Sequence, residues 1–413
     1  MEFLQLLEAT LSPRRVALLR SAGQIAHEEG IRVYLVGGAV RDLLLGRPVK
    51  DLDLVVMGDA VTLAYAVARK LSGQVVARSQ FSTAKVKVED TSLDLTTARR
   101  ERYPRPGALP QIAPGTMEED LARRDFSINA MAFPLHQSAP GQVLDFHGGE
   151  DDLRRGLIRV LHERSFVDDA TRILRAVRYE QRLGFHLEES TEALLRRDLP
   201  MLSTISGDRL RKELQACLRE RQPARLLLRL GEMGVMAAIC PPLDRSGETI
   251  QRAMGREGSG GLGEQVYVGL LACSLTAEEG EQAIARLRMP SRWAAVVRDT
   301  IALRDRLPWL SRADLSPAQI YDAIAPFTIA AVEACALAAP NEEARHNLAL
   351  FLDKLRYVES ALSGGDLIAL GIHPGPAIGE MLSRLRRARL EGAVTSRSEE
   401  VAMVKSWLAS GQH

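Results

Sequence analysis

The 413-residue chain is poor in aromatic side chains, which make up 5% of it against 46% hydrophobic residues overall. A chain short of large rings and rich in Leu, Ala and Arg favours helices and confines sheet to one region. Cysteine is scarce as well. Cys217, Cys240, Cys273 and Cys335 are widely spaced, with no CxxC pair and no nearby histidine cluster, which argues against a zinc site and leaves reduced core residues. No stretch approaches the roughly 20 apolar residues of a membrane span, and MEFLQLLEATLSPRRVALLR at the start holds no uninterrupted apolar segment. A cytoplasmic protein with no membrane partner is expected, and nothing points to a protein partner. An excess of charge is also missing: the formal net charge is +1, so total charge gives no support to nucleic-acid binding. Local clusters must carry that argument, and they occur at 99–105, at Arg123 and Arg124, at 172–182 and at 384–389.

What is present is organised unevenly. Residues 13–30 space their apolar positions as a helix that stops at Gly30. VYLVGG (33–38), DLDLVV (51–56), AKVKVED (84–90) and SLDLTTA (92–98) read as strands of one sheet, with 61–73 a helix between them. Pro104, Pro106, Pro110 and Pro114, with Gly107 and Gly115, make 99–118 a long loop. After about residue 150 the strand signals stop, and amphipathic helices follow, broken at 241–242, 255–263, 289–291, 339–340 and 363–365. No fixed-period repeat is visible, and the length predicts several packed units.

Three segments carry chemistry. In GGAVRDLLLGRPVKDLDLV (37–55), Asp51 and Asp53 are one residue apart in an alternating strand, so both carboxylates leave one face. Such a pair suits two Mg²⁺ ions about 3.5–4 Å apart, the arrangement used for phosphoryl transfer to a hydroxyl. A bare DxD is also a common solvated edge. Gly37 and Gly38 stand between strand and helix, where backbone N–H groups can approach a triphosphate; Arg41 can pair with a phosphate and Asp42 can tie the loop. In EEDLARRDFSINAMAF (118–133), which reads as the start of a helix, Arg123, Arg124, Asp125 and Asn129 can reach a nucleotide while Phe126, Ile128 and Met131 pack inward. In VDDATRILRAVRYEQRLGF (167–185), Asp169 and Arg172 share a helix face. An acceptor beside a guanidinium fork can imitate a Watson–Crick edge and select ATP or CTP over GTP and UTP. The alternative there is an N-cap with a surface ion pair.

Taken in order, these segments resemble the signature elements of class II tRNA nucleotidyltransferases and bacterial poly(A) polymerases. The resemblance implies an α+β fold: a polymerase-β-like nucleotidyltransferase head with a small mixed sheet at 1–150, then all-helical neck (151–220), body (221–345) and tail (346–413). It implies Mg²⁺ held by Asp51 and Asp53, with Asp94 completing the site or acting as base toward an RNA 3′-hydroxyl. Arg124, Asp125 and Asn129 would meet the ribose and phosphates of the nucleotide, Arg123 less firmly. Asp168, which stands where the family carries glutamate, Asp169 and Arg172 would read the base. Arg175 and Arg178, with Arg182, would support the nucleotide site or touch RNA phosphate. Arg209 and Glu213 in ISGDRLRKEL (205–214) would brace this helix from behind. The run 363–392 resembles the family's tail, where Arg384 and Arg387 would meet tRNA, or else form a basic solvated face; His373 reads as structural. No HDxxK element is present.

The expected activity is addition of C, A or both to a tRNA 3′ end from CTP and ATP, with pyrophosphate released. tRNA would be met at its acceptor stem and elbow backbone. CC-only or A-only addition, a poly(A) polymerase and a non-catalytic tRNA-binding scaffold are the alternatives.

Overall fold

A computed structural model gives the fold and describes residues 3–79, 82–135, 142–256 and 261–410. Four residues of the expected break at 255–263 lie outside it. The chain divides into two compact units, Met1–Gln222 with Glu232–Ala238, and Pro223–Gly231 with Ile239–His413.

In the first unit the strands are β1 (Arg32–Val36), β2 (Asp53–Met57), β3 (Gln74–Ser79), β4 (Thr83–Val88), β5 (Thr91–Thr97), β6 (Arg99–Arg102), β7 (Gln111–Pro114), β8 (Met131–Pro134) and β9 (Leu144–Asp145). Among the described residues one sheet has seven strands in the order β3-β4-β5-β2-β1-β8-β9. It is mixed, because β2 and β5 run parallel while their neighbours pair antiparallel. The alternation of β4 and β5 shows in their burial: Ala84, Val86, Leu93 and Leu95 are 4% exposed or less, with polar residues between them. Under β1, β2 and β8 lies a core of Tyr34, Val36, Val55, Ala98, Met117, Leu121, Ala130 and Ala132.

Four expectations are corrected. The strand bearing the carboxylate pair begins at Asp53, so Asp51 precedes it; the alternation nevertheless runs back through the buried Leu52, leaving both aspartates exposed. Residues 99–118 are not a structureless loop, because β6 and β7 form an antiparallel ribbon. A separate two-stranded ribbon tolerates proline at its end, where Pro114 sits, and Pro104, Pro106 and Pro110 fall between its strands. Segment 118–133 is helical only in its first turn and does not carry Arg123, Arg124, Asp125 or Asn129 on that helix. Its helix, Met117–Ala122, starts with a Thr116–Glu119 capping box and ends before the arginines. Asp125 Oδ1 then accepts from the Phe126 N–H at 2.9 Å, and a 3₁₀ turn, Ser127–Asn129, leads into β8. Finally, sheet does not end near residue 150, since β10 (Leu157–Ile158) and β11 (His186–Leu187) pair in parallel.

Helices predominate beyond that point. Thr171–Leu183 and Gly207–Leu218 pack on one another in the first unit. The second unit is helical, with one core built round Leu303, Leu310, Ile320, Val332, Leu348 and Phe351. A smaller one, of Leu362, Leu367, Ile372, Met381, Leu385 and Val404, joins the helices Gly364–Ala369, Pro376–Leu390 and Arg397–Ala409. Among the described residues no single helix is long and apolar enough to cross a membrane. The four cysteines are free, and all but Cys273 are buried.

Candidate active site

Strand register assembles the carboxylates. Asp53 is the direct partner of Asp94 across the parallel β2–β5 pair, and the Asp94 N–H donates to the Leu52 carbonyl at 3.0 Å, fixing that register at the strand ends. Directly opposite side chains leave the same face. Asp53 is open to solvent at its surface, yet protein atoms crowd it in a cleft. That desolvation, then the charges of Asp94 and Asp51, push its carboxyl above the ordinary aspartate range, while Arg124 and Lys85 pull it back. Lys85, on β4 opposite Asp94, donates from Nζ to Asp94 Oδ2 at 2.9 Å.

Gly37 has φ +67°, a left-handed conformation that suits glycine, and a Cβ there would come within 2.6 Å of Arg124 Nη1. Its N–H is already donated to the Met131 carbonyl at 3.1 Å, so it holds β1 and β8 together rather than facing a ligand. Gly38, the first residue of the helix Gly38–Leu44, does face the cleft. Arg41 is 4% exposed and donates to Asp42 Oδ1 at 2.8 Å and Asn129 Oδ1 at 2.6 Å, which spends its guanidinium inside the protein. It thereby orients Asn129, whose amide donates to Asp125 Oδ1 at 2.9 Å. Asp125 Oδ2 receives Arg175 Nε at 3.0 Å. Burial alone would raise the Asp125 carboxyl, but Arg175 and Asn129 hold it down at about 2. The same carboxylate raises the Arg175 guanidinium above its ordinary range.

Arg123 and Arg124 both reach back to Asp120, which has no exposure, at 2.7 and 3.1 Å. Arg124 Nε is buried without a partner, so one donor beside the cleft remains unspent. On the opposite wall, Asp169 Oδ1 accepts from Thr171 N at 3.0 Å, Thr171 Oγ1 at 2.7 Å and Arg209 Nη2 at 2.7 Å. Arg172 donates to Ser165 Oγ and the Arg123 carbonyl, each at 2.7 Å. The expected shared helix face is not formed, because Asp169 is extended and precedes the helix Thr171–Leu183 that carries Arg172; both base-reading candidates are nevertheless held in fixed orientations by neighbours. Arg178 Nη2 donates to Glu213 Oε2 at 3.3 Å, and Asp168 makes a long pair with Arg164 at 3.6 Å.

One cleft of about 660 Å³ gathers much of this: Gly38, Asp53, Arg124, Asp125, Asn129, Asp169, Arg172 and Arg175 line it. Gly37, Arg41, Asp51, Asp94, Asp168 and Arg178 are not among its lining residues. Arg209 and Glu213 line it too, while bracing the 167–185 segment through Asp169 and through Arg175 and Arg178. Tyr103, Tyr179 and Lys212 also line it and were not anticipated. Tyr103 comes from the misread ribbon, and burial raises its hydroxyl. Tyr179 had a legible signal, because Arg175 and Arg182 lie four and three residues from it on the same helix and Arg178 directly precedes it. With Arg41 they surround its ring at 5.1–5.7 Å. In the second unit, Arg384 lies over the Trp407 ring at 4.3 Å and Arg387 Nε donates to Asp322 Oδ2 at 2.6 Å.

Comparison with known proteins points to one family. Residues 33–159 match the poly A polymerase head domain family, and residues 184–246 match the family described as a probable RNA and SrmB-binding site of polymerase A. The CC-adding tRNA nucleotidyltransferase of Deinococcus radiodurans is 32% identical over 97% of this chain and 96% of its own length. The chain belongs to the tRNA nucleotidyltransferase family. Within that family, the A-adding enzyme of Geobacter sulfurreducens is 33% identical over 97% of this chain, which spans only 48% of that relative's length. The solved Thermotoga maritima CCA-adding enzyme complexed with tRNA superposes with a TM-score of 0.80 at 30% identity, covering 99% of both chains. Members named for A, CC and CCA addition are thus all similar to this chain.

Proposed function

We propose that the chain adds C, A or both to the 3′ end of tRNA from CTP and ATP, releasing pyrophosphate and using no nucleic-acid template, in the cytoplasm. The observation that carries this reading is a single cleft with Asp53 in one wall and Asp169 and Arg172 in another. A nucleoside triphosphate laid along it would set its phosphates toward Asp53 and Gly38 and its base toward Asp169 and Arg172. The unpartnered Arg124 Nε is a donor for a phosphate, and Asp125 and Asn129 present polar atoms at the ribose.

The carboxylates fit Mg²⁺. The Asp53 carboxyl is raised first by desolvation and then by the like charges of Asp94 and Asp51, and that like-charge repulsion is what a divalent cation would relieve. Among the described residues no three His, Cys, Asp or Glu side chains form a ready cage. That suits Mg²⁺, which normally takes one or two carboxylates and fills its shell with water and substrate phosphate. Asp51 and Asp53 would hold two ions, whose chemistry is to neutralise charge on the reacting phosphates. Asp94 would accept a hydrogen bond from the tRNA 3′-hydroxyl and orient it toward the α-phosphate. Asp169 and Arg172, fixed by Arg209, Thr171 and Ser165, would discriminate the base by hydrogen bonding. Arg384 and Arg387 would contact the tRNA backbone, the exposed Arg387–Asp322 pair being weak enough to exchange for phosphate.

The test is to offer tRNA ending at the discriminator base, at C and at CC, with each nucleotide singly and together, and to sequence the products. Addition limited to C and A at tRNA ends supports the reading and assigns its specificity. Unlimited A addition to any RNA would favour a poly(A) polymerase, and no incorporation would favour a tRNA-binding scaffold.

A further inference from the structure

Asp53, Asp94 and Lys85 stand in one row across β2, β5 and β4, each the direct register partner of the next. Two negative charges and one positive therefore share a sheet face. Lys85 Nζ donates to Asp94 Oδ2 at 2.9 Å, and the two side chains are 39% and 36% exposed, so the pair is open to water and can exchange. A strand residue opposite Asp94 could be any polar or β-branched type; an ammonium there puts a cation against the carboxylate cluster before any metal arrives.

We propose that Lys85 is a positioning residue of this site, a built-in counter-ion that claims Asp94 Oδ2 and competes with divalent cations for the carboxylate cluster. The inference rests on reading Asp51, Asp53 and Asp94 as the cation site. Its consequence is that the nucleotide-free protein holds divalent cations weakly, so that they enter with the triphosphate, whose own oxygens supply further ligands. Asp94 is left with Oδ1 for the incoming hydroxyl.

The experiment is Mn²⁺ titration of the nucleotide-free full chain, followed by calorimetry, for the wild type, Lys85→Met, Lys85→Thr and Lys85→Arg. Threonine is a second neutral variant, well suited to a strand should methionine fold poorly. Removing one partly exposed charge should tighten Mn²⁺ binding about two- to fivefold in both neutral variants, while arginine leaves it as in the wild type. Unchanged affinity in the neutral variants overturns the proposal. Asp53→Ala separates the two levels. If it abolishes Mn²⁺ binding while neutral Lys85 variants bind no tighter, the role of Lys85 fails and the cation site stands. If Asp53→Ala binds as the wild type does, or none of the proteins binds Mn²⁺, the cation-site reading fails and the Lys85 proposal with it.

Discussion

The two units treat charge differently. In the first, Arg41, Asp120, Asp125, Asp152, Arg172, Arg178, Glu180 and Asp198 are all less than 9% exposed; in the second, Glu400 is the buried charged residue among those described. Glu400 serves structure: it accepts the N–H groups of Ala361 and Leu362 at 3.0 and 2.9 Å and pairs with Arg389. The buried charges around the cleft instead hold one another in fixed directions, as Arg41 holds Asn129, Asn129 holds Asp125 and Asp125 holds Arg175. Burying charge is costly unless it is paired, so a concentration of it marks where orientation matters more than stability.

The sharpest way to break the comparison is at its reactive centre. Asp53→Ala should lower kcat by about 10³-fold in single-nucleotide addition to tRNA. Asp53→Asn should do the same and yet raise the melting temperature at neutral pH. Because the folded protein raises the Asp53 carboxyl, it binds the proton more tightly than the unfolded chain, so stability falls as pH rises through that titration. Removing the charge cancels the loss, and the gain should vanish below the aspartate range. A variant that loses activity and stability together would show Asp53 to be structural.

Arg175→Met comes next. It strands the buried Asp125, and thermal unfolding should show a loss of about 3 kcal/mol, the lower end for buried pairs because Arg175 is 31% exposed. In the wild type the Asp125 contribution is present above the unfolded aspartate range and is lost as pH falls toward about 2. In the variant, where burial raises the carboxyl with Arg175 no longer opposing it, that acid loss should shrink or reverse. A smaller effect is expected of Arg209→Ala, which frees Asp169 while leaving Thr171 on it. Discrimination of ATP and CTP against GTP and UTP should drop about tenfold in kcat/KM ratios, with melting changed little. Unaltered selectivity would remove Asp169 from base reading. The least effect belongs to the second unit, where Arg387→Ala breaks an exposed pair with Asp322 and should cost under about 1 kcal/mol. If it costs as much as Arg175→Met, the contrast between the units collapses.

Legibility followed the range of the interactions. The strands at 51–56, 84–90 and 92–98 were readable because alternation is a nearest-neighbour property. β3 was missed; QVVARS does not alternate, and a bulge between Val75 and Ala77 interrupts its pairing. The motif at 118–133 reads as a longer helix than it forms, because its capping box starts one while the turn that follows depends on Asp125. Proline content hid β6 and β7, and with them Tyr103. Lys85 was invisible as a site residue, since only register sets it against Asp94.

Local sequence by itself determined the Asp-Leu-Asp spacing, the helix that begins just after Asp169, the glycine turn and the arginine periodicity along the helix of Tyr179. All are fixed by the geometry of a few consecutive peptides. Which of these groups meet was decided only by the folded chain. Arg41 and Asn129 are separated by 88 positions and Asp125 and Arg175 by 50. A guanidinium's choice between an internal carboxylate and an external phosphate depends on which partner the packing brings within about 3 Å, and no local pattern encodes that distance.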